Sequence, residues 1–317
     1  MSGFRPPRPP FAFWHEAVLL LLLAGLFELA RALDPAFLAP GTQTELLTHV
    51  WETALLAVPM TLLIVSGGID LSVGSTMALC AVVLGMAFTA SVPIYAGALL
   101  ALLTGLACGL LNGVFVARVR VHPLLVTLAT LAAFRGVAEG ISRARPVSGF
   151  PAGFATLLGG GSAGALCFVV AVVFAAVVLS RTTLGLTIRA MGFNETAARF
   201  SGLPVARVKM LLYALSGVAA GVAAVLFVAR RNTAKADIGQ GIELDVIAMV
   251  VLGGTSIFGG RGSVWGTLLG VLLIHETREF VSWHWNRDEL NLIVLGTLLI
   301  VSVLLNRLLL PKTGGRD

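Results

Sequence analysis

The sequence predicts an all-α polytopic membrane protein with about ten transmembrane helices, several of them broken by glycine, and three observations carry that prediction. The 317 residues are 57% apolar and 12% charged, whereas an ordinary globular domain is ~45–50% apolar and ~25% charged. The mean hydropathy of +0.94 leaves too little polar surface to cover a water-facing exterior. Apolar runs near the ~20 residues needed to cross ~30 Å of hydrocarbon recur along the whole chain. Together these exclude a soluble enzyme, a disordered chain and a nucleic-acid-binding domain, although the length alone would suit about two soluble domains.

Taken in order, the expected spans are 17–33, 50–66, 71–91, 94–117, 122–141, 164–180, 209–229, 243–258, 263–281 and 289–307. Residues 1–16, with Arg5, Arg8 and four prolines, read as a cytoplasmic tail, and the run that follows reads as a first anchor rather than a cleaved signal. The permease body is then 17–310, with a cytoplasmic loop at 181–209, and 311–317 is a second cytoplasmic tail. This arrangement puts 13 Lys and Arg inside against eight outside, so the net charge of +6 is explained by the positive-inside bias without a nucleic-acid partner. Cys80, Cys108 and Cys167 each lie in an apolar run and read as small buried hydrophobes.

The loop 181–209 holds five of the 13 inside charges and is patterned beyond what a linker needs. Asn194 can cap a helix, Glu195 complements its positive start, Ala197 and Ala198 favour helix, and Gly202 followed by Pro204 stops it. A short cytoplasmic helix over 194–201 is expected. Two further places interrupt the spans. Gly67 and Gly68 can end one helix and Asp70 can cap the next; 186 residues on, Gly253 and Gly254 repeat the pair with Thr255 and Ser256 as hydroxyl caps. Paired interruptions in corresponding halves mark discontinuous helices around a central pathway; simple turns or close helix packing are the alternative for such glycines. Asp70, as an ionisable group at membrane depth, is either a cap or a functional group.

No ATP site is legible. A P-loop needs G-x-x-x-x-G-K-[ST], and none of the three lysines, Lys209, Lys235 and Lys312, follows a glycine. The run Gly159–Gly164 fits both a dinucleotide and a nucleophile-elbow pattern without the strand either requires, so a flexible external loop is expected there. The histidines do not reach metal-ligand spacing, and 275–285 reads as an interfacial belt or a docking surface for an external partner. Asn112, Thr127, Thr130, Arg135 and Glu139 are the main polar residues within spans. A dense Asp/Glu/His relay is missing, which counts against an ion-coupled secondary transporter but leaves it open as the principal alternative, and no Ser–His or Asp–Asp pair supports an intramembrane enzyme.

Three stretches in order, SGGIDLSVG at 66–74, GFNETAARFSGLP at 192–204 and VLGGTSIFGGRG at 251–262, resemble the monosaccharide permeases of bacterial ABC importers, the ribose and rhamnose group. The resemblance covers roughly 45–310 and leans to the rhamnose branch around 194–204. It implies an ABC importer permease-type fold in the bacterial inner membrane with both termini cytoplasmic. It also implies a second permease subunit, cytoplasmic ATPases that bind ATP and Mg, and a periplasmic sugar-binding protein, with no cofactor, metal or catalytic residue in this chain. Carried over by residue, Asn194, Glu195, Ala197, Ala198, Arg199, Phe200 and Gly202 would contact the ATPase. Gly67, Gly68, Asp70, Ser72, Asn112, Gly253 and Gly254 would shape the translocation pathway. The chain departs from the ribose pattern at 275–288, which bears on the identity of the cargo.

Overall fold

The computed structural model describes residues 14–285 together with 290, 291, 293, 294, 296, 297 and 300. The expected tail 1–16 (apart from 14–16), most of the span 289–307 and the tail 311–317 lie outside them. Among the described residues, thirteen α-helices are joined by short turns: α1 Trp14–Leu33, α2 Pro40–Leu46, α3 Trp51–Val65, α4 Val73–Thr89, α5 Ile94–Val114, α6 Pro123–Ser142, α7 Ala152–Leu158, α8 Gly161–Arg181, α9 Thr183–Phe193, α10 Glu195–Phe200, α11 Val205–Arg231, α12 Ile242–Leu252 and α13 Val264–Trp285. The strands described are β1 Val147–Ser148 and β2 Thr233–Ala234, an antiparallel two-residue ribbon.

Burial runs opposite to that of a water-soluble bundle. α8 turns Leu166, Val169, Val170, Val173, Phe174 and Val177 outward, and α5 does the same with Leu99 and Leu103. Such faces suit hydrocarbon, which is as apolar as the side chains themselves. α5 extended through Val119, α6, α8 and α11 are each long and apolar enough to span, and the pair 40–49 and 51–65, bent by 54° at Val50, makes a fifth span if taken as one. The expected span 243–258 is corrected: α12 has 11 residues, about 16 Å at 1.5 Å each, and ends at the Gly253-Gly254 turn.

α11 runs through the centre, against α3, α4 and α5. Its contact with α5 depends on small residues. A Cβ on Gly109 would fall on the Tyr213 carbonyl and one on Gly221 would lie 3.1 Å from Leu102 Cα, so the helices meet backbone to backbone. That approach maximises dispersion contact where lipid supplies no hydrophobic drive between helices. The apolar core gathers around α3, α4 and α11, with Leu56, Met60, Met77 and Leu84 fully enclosed. A second cluster joins α3, α8, α9 and α11 beneath α10.

Buried ionic and hydroxyl contacts pin the bundle. Arg230 donates to Glu52 at 2.8 and 3.0 Å, tying the end of α11 to the start of α3. Thr61 and Thr267 share a hydrogen bond of 2.8 Å between α3 and α13. Arg135 of α6 donates to the carbonyls of Ala236 and Ile238, holding the loop before α12. The run 159–164, expected as a flexible loop, is packed: Gly161 begins α8, and Cβ atoms on Gly159 and Gly164 would meet Ala229 and Trp51.

Candidate functional site: a coupling segment and the glycine hub beneath it

Local chemistry explains how the segment 182–204 is shaped. The Thr182 hydroxyl accepts from the Gly185 N–H at 3.2 Å and starts α9. Asn194 breaks the helix with φ −160°, and its side-chain oxygen accepts from the Ala197 N–H at 2.9 Å to start α10. That satisfies one of the four orphan donors of a helix start. At the other end Leu203 N–H donates to Ala198 and Gly202 N–H to Arg199, the paired bonds of a Schellman stop. The motif needs a left-handed residue, and Gly202 supplies it at φ +80°.

The six residues of α10 divide into two faces. Ala198 is only 4% exposed and packs into the second core cluster. Glu195 bends back to its own chain: Lys209 of α11 donates to Oε2 at 2.5 Å and Arg199 to Oε1 at 2.7 Å. Burial pushes the Glu195 carboxyl up, but the hydrogen bonds and charges of Lys209 and Arg199 outweigh it and hold the group below the usual carboxylate range. Asn194, Thr196, Ala197 and Gly202 remain at the surface, and Phe200 is 88% exposed. Of the residues expected to meet an ATPase, therefore, Ala198 faces the core, Glu195 and Arg199 hold the helix in place, and Asn194, Ala197, Phe200 and Gly202 are outward.

Beneath α10 three glycine-bearing segments converge. Gly260 N–H donates to the Val65 carbonyl at 2.8 Å. A Cβ on Gly192 would collide with Val65 and Gly260, and one on Gly259 would lie 3.1 Å from Gly67 Cα. Gly67 and Gly259 have φ of +80° and +85°, which L side chains adopt only with strain. The turn after α3, the end of α9 and the turn before α13 thus form one backbone-packed hub. Phe258 in that last turn is 93% exposed, and Phe193 at the end of α9 is also exposed. Sequence reading missed both, although an aromatic residue standing before Gly259-Gly260 in a polar turn was a visible signal.

The pathway candidates occupy three places. Asp70, 2% exposed, accepts from the Ser72 N–H at 2.9 Å, the Ser72 hydroxyl at 2.7 Å and the Ser216 hydroxyl at 2.8 Å. Asn112 donates to the Ser72 hydroxyl at 2.8 Å, and Tyr213 donates to the Ile69 carbonyl at 2.9 Å. Asp70, Ser72 and Asn112 therefore join the turn between α3 and α4 to α5 and α11 through bonds to one another and to Ser216. Ser72 holds the cap position of α4, and Asp70 binds the peptide ahead of it. Ser216 and Tyr213, both from α11, were not foreseen because nothing in their local sequence links them to residue 70.

Gly67 is exposed within the hub, and Gly68 packs under it against Leu63 and the Tyr213 hydroxyl. Gly253 lies against Gly266 of α13, while Gly254, at φ +86°, abuts His15 of α1, whose Nε2 bonds the Leu252 carbonyl at 2.8 Å. The expected caps after this pair are corrected: Thr255 Oγ1 has no partner among the described residues, and Ser263 accepts the Gly266 N–H at the start of α13. Within 275–285, His275 and Glu276 are buried while Trp283 and Trp285 are exposed.

The fold is that of an all-α polytopic membrane protein, and comparison with known proteins specifies the kind. Residues 44–303 match the family described as branched-chain amino acid transport system / permease component, and the chain belongs to that family. It is 39% identical over 300 residues to the autoinducer 2 import system permease protein LsrD of Yersinia enterocolitica, covering 90% of this chain and 89% of the relative. The LsrD proteins of Yersinia pseudotuberculosis and Yersinia pestis are 37% and 36% identical over 296 residues, covering 90% of this chain and 87% of each relative. No solved structure matches. The protein is a multi-pass inner-membrane permease subunit of an ABC importer, without an ATP site of its own, and such subunits work with ATPase and substrate-binding partners.

Proposed function

We propose that the chain moves a small sugar-like cargo across the bacterial inner membrane: autoinducer 2, which the relatives are named for, or a monosaccharide such as rhamnose or ribose. Both termini lie in the cytoplasm. Residues 194–202 dock in a cytoplasmic ATPase, which supplies ATP and Mg, and a periplasmic binding protein delivers the cargo to a pair of permeases. The observation that carries this reading is the build of α10. A six-residue helix is capped at both ends, anchored through Ala198 and Glu195, and left with Phe200 in solvent. Phe193 and Phe258 are further exposed aromatics, carried by the hub segments. Exposed aromatics of this kind mark interfaces, because their burial against a partner removes large apolar area from water. The rigid hub offers a route by which movement of α10 reaches α3 and α13 and so reorients the spans.

The test is co-purification of the tagged permease with its ATPase, followed by uptake of labelled autoinducer 2, rhamnose, ribose and leucine by cells carrying the whole system. ATP-dependent uptake of autoinducer 2 or a monosaccharide is expected. Uptake of leucine alone would overturn the cargo, and transport by the chain alone down an ion gradient would overturn the mechanism.

A further inference from the structure

At the end of the bundle away from α10, the beginning of α3 and the last turns of α13 enclose a cavity of about 240 Å³ with His49, Thr53, His275, Arg278, Glu279 and Ser282 on its walls and Met249 of α12 as an apolar floor. α3 sets the distance. Its Val65 end is bonded into the glycine hub, and its fifteen residues place the His49 end about 22 Å away at 1.5 Å per residue. The cavity thus lies on the side opposite the coupling segment, where cargo would arrive.

The walls are polar yet incompletely satisfied. Among the described residues, His275 Nε2 and Asn291 Oδ1 are buried without a hydrogen-bond partner. Native proteins rarely leave such atoms unmatched, so water or a ligand is expected to meet them. The cavity has room for about eight waters at ~30 Å³ each, and is smaller than the ~300–1,000 Å³ of sites for drug-sized molecules. A single ring is the matching scale.

The charges decide the chemistry of that ring. Arg278 is paired with Asp245, so the charge of the lining guanidinium is matched within the protein, while its remaining N–H groups stay available as donors. Glu279 faces His49, with 3.8 Å between Oε1 and Nδ1. Ser282 Oγ accepts from Asn291 at 2.8 Å and keeps its own proton to donate. What remains is a mixed set of donors and acceptors, from imidazole, hydroxyl, amide and carboxylate, with little net charge. No trio of His, Cys, Asp or Glu among the described residues has the arrangement to hold a metal ion.

We infer that this cavity is a cargo-binding station at the outer end of the permease, taking a neutral polyhydroxylated ring of monosaccharide size; the inference rests on the sugar-like cargo proposed above. The station gives cargo a polar stop before the sparsely polar spans, and Thr53 places it on α3, the helix that ends in the hub.

The experiment uses the full-length chain in lipid nanodiscs. Cys80 and Cys108 are buried, and Cys167→Ala removes the more accessible thiol. Thr53→Cys is then reacted with a small charged methanethiosulfonate. Labelling is expected, and autoinducer 2, rhamnose or ribose is expected to slow it roughly tenfold near ten times its dissociation constant, with leucine and inorganic phosphate inert. Ser282→Cys repeats the measurement from the opposite wall should Thr53→Cys fold poorly. Labelling that no polyol slows identifies a water-filled cavity and overturns the inference, as does an unreactive thiol at both positions. Protection by leucine instead would overturn the ligand class. Uptake by the wild-type system separates the two readings: a system that imports autoinducer 2 while its cysteine variants show no protection keeps the proposed cargo and loses the station.

Discussion

The lock that holds α10 makes an asymmetric prediction. Glu195→Gln leaves the Lys209 ammonium, whose side chain is 7% exposed, beside a neutral amide. Stripping one partner from a fully buried pair costs ~3–5 kcal/mol. The Glu195 side chain is 36% exposed, so water screens part of that, and about 2 kcal/mol is expected for detachment of α10. Lys209→Met removes the buried charge itself and leaves Glu195 paired with Arg199 and water, at about 0–1 kcal/mol. The double variant should resemble Lys209→Met. Amide hydrogen exchange across 195–203 reads these differences directly: about 30-fold faster opening for Glu195→Gln, and about fivefold or less for the other two. The pH dependence has a definite sign. Because the folded carboxyl is held below its usual 4.5, its contribution is complete above that value and is lost as pH falls through the lower folded value. The melting difference between wild type and Glu195→Gln should therefore be flat at neutral pH and shrink in acid. Equal exchange in the two single variants, or a larger loss for Lys209→Met, would refute the lock.

Other outcomes follow from the same geometry. Asn194→Ala removes the cap and should loosen α10 by about 1 kcal/mol, seen as faster exchange at Ala197, while Asn194→Asp keeps the acceptor and the protection. Gly109→Leu would drive a side chain into the Tyr213 carbonyl, and size-exclusion profiles should show aggregated rather than monodisperse protein. Phe258→Ser and Phe200→Ser should leave the melting temperature within a degree or two but sharply reduce ATPase co-purification, because both side chains are solvated in the isolated chain. Asp70→Ala strips three hydrogen bonds from Ser72 and Ser216 and should cost about 2–4 kcal/mol, measured as a lowered unfolding temperature in detergent.

Patterns contained within a few consecutive residues are legible in the sequence. Asn194, Gly202 and Pro204 specify the beginning and end of α10, because capping is a matter of backbone groups two or three residues away. Pairing across the fold is not legible there. Ala198 and Phe200 look equivalent as docking residues, and only the packing of α10 on α11 turns one inward and the other out. Gly253 reads as a pathway residue because it repeats the pair at 67, and its close contact with Gly266 of α13 is visible only in the fold. The 275–285 segment mixes charges with aromatics as an interface does, yet helix α13 turns His275 and Glu276 inward.

Composition and apolar run length by themselves determined that this chain lives in a bilayer, since a 57% apolar chain has no other way to satisfy its surface, and local capping chemistry determined the short helix α10. The tertiary structure alone decided which polar groups meet. The partners of Asp70 lie up to 146 residues away, and the cavity beside His49 is closed by residues 200 or more positions on. Side-chain pairing at that separation depends on how helices cross and rotate against one another, and one-dimensional periodicity carries no record of it.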